Sequence, residues 1–216
     1  MARITILGGT GYAGAAIAAE AARRGHEVTA VSRTAPEAPV EGVQYVAGSA
    51  LDGSVLDSVL EGRDVVISAL SPRGDMAGKV EGILKDLARR LEGTTTRLAH
   101  IGGASSLLVE EGGPRLWDVT KDHVPEEVRP EIETGLTILD DFRATPETLD
   151  WFYVSPPENF GSWVPAPVKG EYRLGGEVLV RDEAGESTIS AADLALAVVD
   201  EIDKPAHHRK RFTAAH

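Results

Sequence analysis

Residues 3–14, Arg-Ile-Thr-Ile-Leu-Gly-Gly-Thr-Gly-Tyr-Ala-Gly, run a short apolar strand directly into glycines at 8, 11 and 14 and then into an alanine-rich helical segment. Strand, glycine turn and helix in that order form the turn used to hold a dinucleotide pyrophosphate. Each glycine has a separate physical reason. Gly8 takes the tight turn off the strand, Gly11 lets backbone amides approach a phosphate, and Gly14 lets the helix close onto the sheet. The phosphate would then face the unpaired N–H groups and the positive dipole end of the helix, with Thr10, Tyr12 and Ala13 beside it. A second strand at 27–31 completes the unit within the first 31 residues, a context that separates this turn from an ordinary glycine-rich loop.

That second strand ends in Ser32-Arg33. A site for NAD would place an acidic residue here to take the ribose 2′-hydroxyl, whereas an arginine presents a planar fork to a 2′-phosphate. NADP is therefore the expected cofactor, preferred over NAD, with Arg33 as the selecting residue.

Composition narrows the partners. The chain has 34 acidic and 22 basic residues, a net charge of −12, so nucleic acid and anionic membranes would be repelled. It contains no cysteine, which removes disulfides, thiolate nucleophiles and Cys-metal sites. No apolar run approaches the roughly 20 residues of a membrane helix, and the N-terminus enters a strand at residue 3. The expectation is a cytoplasmic protein, monomer or homodimer, whose partner is a small-molecule hydride acceptor. Asp118, Asp122 and His123 lie close together but without ligand spacing, so no metal site is expected.

Further along, strands and helices alternate as in a parallel sheet covered on both faces. Strands are expected at 43–46, 64–70, 97–102 and 150–154, with helices at 12–24, 54–61, 76–92 and around 126–145, the last interrupted near Pro130. Residues 171–180 read as a hairpin turning at Gly175-Gly176, and Ser190-Ala191-Ala192-Asp193 opens a final capped helix. Arg211–Ala214 reads as a seventh, edge strand. The fold expected is α/β, a Rossmann-like doubly wound, mainly parallel sheet of about seven strands with a small C-terminal hairpin insertion, forming one domain over 1–216. Ligands bind beyond the carboxyl ends of such strands, so the loops after 8, 31, 46, 70, 102 and 154 should meet at one cleft. Segments 103–124 and 155–180 are long enough to form its substrate side.

Several stretches resemble an atypical branch of the short-chain dehydrogenase/reductase superfamily, the NAD(P)H-binding proteins often labelled NADH-flavin reductases. Biliverdin-IXβ/flavin reductase and the NmrA-like proteins are more distant relatives of that branch. The stretches are Gly-Gly-Thr-Gly-Tyr-Ala-Gly at 8–14, Gly-His-Glu-Val-Thr-Ala-Val-Ser-Arg at 25–33, Ser-Ala-Leu-Ser-Pro-Arg at 68–73, His-Ile-Gly-Gly-Ala-Ser-Ser-Leu at 100–107, Val-Ser-Pro-Pro at 154–157 and Tyr-Arg-Leu-Gly-Gly at 172–176. The resemblance implies nicotinamide binding. With the cleft rule it extends the cofactor set from Gly8, Thr10, Gly11, Tyr12, Ala13, Gly14 and Arg33 to Ala69, Leu70, Ser71, Gly102 and Pro156.

One departure carries mechanism. Typical superfamily members reduce carbonyls with a Tyr-x-x-x-Lys pair on the helix after the fifth strand. Residues 126–145 hold neither tyrosine nor lysine, and none of Tyr12, Tyr45, Tyr153 and Tyr172 has a lysine four residues on. Ser105 is available to hydrogen-bond a substrate oxygen, or equally to satisfy its own turn. Without a built-in acid, the suited acceptor is a conjugated ring that delocalises the arriving charge, a flavin or quinone, with FMN as substrate rather than prosthetic group. Ser106, Trp117, Phe160 and Trp163 are the expected substrate contacts, although the aromatic residues serve equally well as packing. Two other functions fit the same sequence: an NADP-binding redox sensor without turnover, and a tailoring reductase or isomerase of a cyclic metabolite.

Overall fold

The computed structural model describes residues 1–216. Its sheet has eight strands: β1 (Arg3–Leu7), β2 (Glu27–Ser32), β3 (Val43–Ala47), β4 (Val65–Ser68), β5 (Arg97–Ile101), β6 (Trp151–Ser155), β7 (Arg173–Gly175) and β8 (Lys210–Ala215). Their spatial order is β3-β2-β1-β4-β5-β6-β8-β7. Every neighbouring pair is parallel except β7 with β8. The chain leaves β1 toward β2 on one side and returns to β4 on the other, so the crevice of a doubly wound sheet opens beyond Leu7 and Ser68.

Strand side chains alternate between two cores. Ile4, Ile6, Val65, Ile67, Ala99 and Phe152 face a layer made by α1 (Tyr12–Arg23) and α6 (Ala191–Asp203). Leu7, Val66, Leu98, Trp151 and Tyr153 face α2 (Gly53–Leu60), α3 (Val80–Leu91) and α5 (Arg129–Arg143). The small residues of α1 are used as such, since Ala18 and Ala21 are fully buried in the first layer.

The sheet expected at about seven strands has eight. Three expectations need correction. Residues 177–180 do not fold back onto 171–174; β7 finds its antiparallel partner in β8, with Leu174 opposite Ala214. The last strand is not an edge, because it lies between β6 and β7. Pro130 does not interrupt a helix but sits in the first turn of α5, where its missing N–H has no helical partner to lose.

The freed segment 177–179 has another role. Leu108 donates its N–H to the Glu177 carbonyl at 2.8 Å and accepts from the Leu179 N–H at 2.9 Å. Leu107, Leu116 and Leu179 pack as a small separate core, and a short helix α4 (Leu116–Thr120) follows. The long segment after β5 is thereby fastened to the C-terminal part of the chain.

Candidate functional site

The turn after β1 is built on glycine for reasons visible atom by atom. Gly8 has φ of +81°, left-handed backbone that other residues adopt only at a cost, and its N–H reaches the Val31 carbonyl on β2 at 2.9 Å. Gly9 also bonds Val31, at 3.1 Å, and a Cβ on Gly9 would stand 2.6 Å from the Ala30 Cβ. That requirement is not part of the three-glycine spacing. Gly11 caps α1 with its side open to the cleft, a Cβ there meeting only the Gly8 carbonyl oxygen at 3.3 Å. The N–H groups of Tyr12, Ala13 and Gly14 belong to the first helical turn and have no helical acceptor.

Beyond this turn lies a cleft of about 680 Å³. Fourteen of the seventeen residues expected at the site line it: Gly8, Thr10, Gly11, Tyr12, Ala13, Arg33, Ala69, Leu70, Ser71, Gly102, Ser105, Pro156, Phe160 and Trp163. Three do not. Gly14 is buried behind the turn and acts by packing alone. Trp117 is 9% exposed, absorbed by the interior beside Leu116, and offers no surface to a substrate. Ser106 turns away, its hydroxyl accepting a hydrogen bond from the buried Arg211 guanidinium at 2.6 Å.

The rim is made of two ion pairs. Arg33 meets Asp75 at 2.9 Å, both largely in solvent. Arg73, in the loop after β4, donates from Nε to Glu131 on α5 at 2.5 Å and lies 5.0 Å from the Trp163 ring centroid. That arginine ties three elements together across the cleft mouth. Phe160 packs on Tyr12 with ring centroids 5.1 Å apart, so the segment after β6 closes over the helix N-terminus.

The inner half of the cleft escaped the sequence reading. Its wall is the N-cap Val128 and one face of α5, Glu131, Ile132, Gly135 and Ile138, at helical spacing. Its floor includes His100, which burial drives down to a pKa of about 4, so the ring is neutral. Tyr153, on β6, lies in the core: 1% exposed, with its phenol pushed up to about 12 by burial. Its hydroxyl fills the space beside Gly102, where any Cβ would collide with it. Asp118 is engaged by Arg115 at 3.1 Å and caps α4.

An acidic pyrophosphate needs free amides, a close backbone approach and little negative charge nearby. The open Gly11 and the unpartnered first-turn amides supply the first two, and the Arg33 cation just after β2 offsets the carboxylates at the rim, so the residues present fit a dinucleotide. The comparisons agree. The model of the NAD(P)H-binding family matches residues 8–205, and the chain belongs to that family. It is 33% identical to the uncharacterized protein YwnB of Bacillus subtilis over 98% of this chain and 97% of that one. Among solved structures, a proposed NADH-flavin reductase from Streptococcus pneumoniae is 32% identical, with full coverage of both chains and a TM-score of 0.88. A proposed epimerase from Bacteroides thetaiotaomicron is also 32% identical, covering 100% of this chain and 98% of that one, with a TM-score of 0.84. The chain is thus an NAD(P)H-binding protein of an oxidoreductase family with a Rossmann-like fold.

Proposed function

We propose that this chain is an NADPH-dependent reductase that delivers hydride to a flat conjugated acceptor, a flavin or a quinone, taken as a diffusible substrate. The observation that carries the reading is the inner cleft wall. The α5 face there is apolar apart from Glu131, and Glu131 is occupied by Arg73. None of its residues is a tyrosine or lysine able to pass a proton to an alkoxide. Tyr153 does not substitute, since its hydroxyl is buried and its proton firmly held.

NADPH bound at the glycine turn would supply the hydride, and the reduced acceptor would take its proton from water. The chain's own contribution is then orientation. The first turn of α1 would hold the pyrophosphate, Arg33 would grip the 2′-phosphate, and the apolar wall with Phe160 and Trp163 would position the acceptor. The 32% identity to the Streptococcus pneumoniae protein points the same way. The test is NADPH oxidation with FMN and with a simple benzoquinone, followed beside direct titration of NADPH. Turnover with either acceptor is expected. Tight NADPH binding without turnover on any acceptor would instead indicate a sensor.

A further inference from the structure

We infer that His100 and Gly135 together form the recognition subsite for the acceptor, selecting a planar ring that carries an N–H donor on its leading edge. This rests on the reductase reading above and narrows its acceptor from flavin or quinone to an isoalloxazine-like ring.

The first observation is the tautomer of His100. Its Nδ1 lies 3.1 Å from the Ser68 carbonyl oxygen on the neighbouring strand. A carbonyl only accepts, so the ring hydrogen is on Nδ1 and the lone pair is on Nε2. Phe142 and Tyr153 pack around the ring, with centroids 6.2 and 5.4 Å away. Nε2 has no partner anywhere in the chain, yet it is not one of the polar atoms sealed inside the protein. His100 is 2% exposed in all and helps to floor the cleft, so the small surface left around its unpaired Nε2 is what the ring offers to a ligand edge that reaches the floor. The ring is also neutral over the physiological range, which makes it a permanent acceptor there and never a donor from Nε2.

The second observation is independent. Gly135 lies within α5, where glycine costs about 1 kcal/mol relative to alanine. Nothing in the protein demands it, because a Cβ at this position would meet no atom within 4 Å. The residue faces the cleft between Ile132 and Ile138 and opens a notch in an otherwise apolar wall. A ring edge sliding through that notch would bring its donor toward the floor, where Nε2 waits. An isoalloxazine has such a donor at N3–H. A quinone, with carbonyl oxygens only, would leave Nε2 unpaired and facing like-signed lone pairs.

The experiment compares lumiflavin with 3-methyllumiflavin, the same ring with its donor blocked, as acceptors for NADPH. Wild-type kcat/KM should favour lumiflavin by about tenfold, the scale of one buried hydrogen bond. His100→Asn keeps an amide donor for the Ser68 carbonyl but removes the acceptor in the cleft, and should reduce the preference to less than about twofold. His100→Gln returns an acceptor near the Nε2 position and should restore it. Gly135→Leu fills the notch and should cut kcat/KM for lumiflavin about tenfold or more while leaving NADPH binding within about twofold.

Equal wild-type use of the two flavins, a preference that persists in His100→Asn, or unimpaired lumiflavin reduction by Gly135→Leu would each overturn the subsite. If His100→Asn does not fold, the wild-type pair and Gly135→Leu still decide. Failure of the wider reading looks different: NADPH binds, but wild type reduces neither flavin nor benzoquinone.

Discussion

A β-carbon on Gly14 would stand 2.2 Å from the carbonyl oxygen of Gly8, closer than any such contact can be. The two glycines are six residues apart in sequence and are pressed together because the helix must begin almost on top of the turn. Gly14→Ala should therefore push α1 off the sheet and destabilise the fold by about 1–3 kcal/mol, the usual cost of overpacking. Gly11→Val should do the reverse. Its Cβ meets only the Gly8 oxygen at 3.3 Å, and its extended backbone suits any residue, so the fold should survive while NADPH binding collapses. Thermal melts and nucleotide titration of both variants check this, and normal NADPH binding by Gly11→Val would move the phosphate site elsewhere.

Arg33 is the residue proposed to select NADPH. In the present structure its guanidinium is shared with Asp75, both side chains largely exposed, an arrangement weak enough for a phosphate to displace. Arg33→Ala should weaken NADPH binding about tenfold or more and change NADH binding less than about twofold, since only the first nucleotide has the 2′-phosphate. Calorimetric titration of both nucleotides separates the cases. Equal losses would mean that Arg33 serves the common part of the cofactor or only the loop.

The glycine turn could be read from sequence because its constraints are local: φ at Gly8 and the Gly8–Gly14 contact lie within one strand-turn-helix unit. Apolar runs such as Val65–Ser68 and Trp151–Ser155 likewise announce buried strands. What could not be read depends on contacts between distant parts. Glycines 175 and 176 suggested a local hairpin, but β7 gains a longer partner in β8, some 40 residues on, and 177–179 is drawn to Leu108. Trp117 looked available to a ligand because its loop lacks periodicity, yet the interior takes it. His100 is a buried histidine of β5; its unpaired Nε2 follows from a carbonyl on another strand, to which sequence spacing gives no clue.

His100 should also mark the pH dependence of stability. Burial lowers its pKa in the folded chain to about 4, below the 6.5 of an exposed histidine. The unfolded chain therefore takes up a proton that the folded chain refuses. Stability is unaffected by this group above about pH 6.5 and falls as pH drops from there toward about 4, with a slope of at most about 1.4 kcal/mol per pH unit. Carboxylates such as Asp193 and Glu201, held below their usual values by hydrogen bonds, add their losses at lower pH. Urea unfolding of wild type and His100→Asn between about pH 7.5 and 5 isolates the histidine, because the carboxylates' contribution is then largely common to both. The difference between the two proteins should change steadily below about pH 6.5; a constant difference would mean that His100 titrates alike in both states.

The reaction step itself should be nearly insensitive to pH. The two titratable rings nearest the inner cleft, His100 with a pKa of about 4 and Tyr153 at about 12, both lie outside the physiological range. Glu131 is held by Arg73 at the rim, and Ser105 adds only a neutral hydroxyl to the cleft lining. Hydride transfer to a stacked flavin or quinone then has no protein group whose protonation gates it, so the single-turnover rate should be flat between about pH 6 and 8.5. Ser105→Ala should slow it by less than about tenfold, since one neutral hydrogen bond is worth on the order of 1 kcal/mol. Stopped-flow traces with NADPH deuterated at the transferred position confirm that hydride transfer is the step timed. A steep single ionisation in that window, or a loss of about a thousandfold in Ser105→Ala, would reveal a dedicated donor, and the acceptor would then have to be a specific carbonyl compound rather than a conjugated ring.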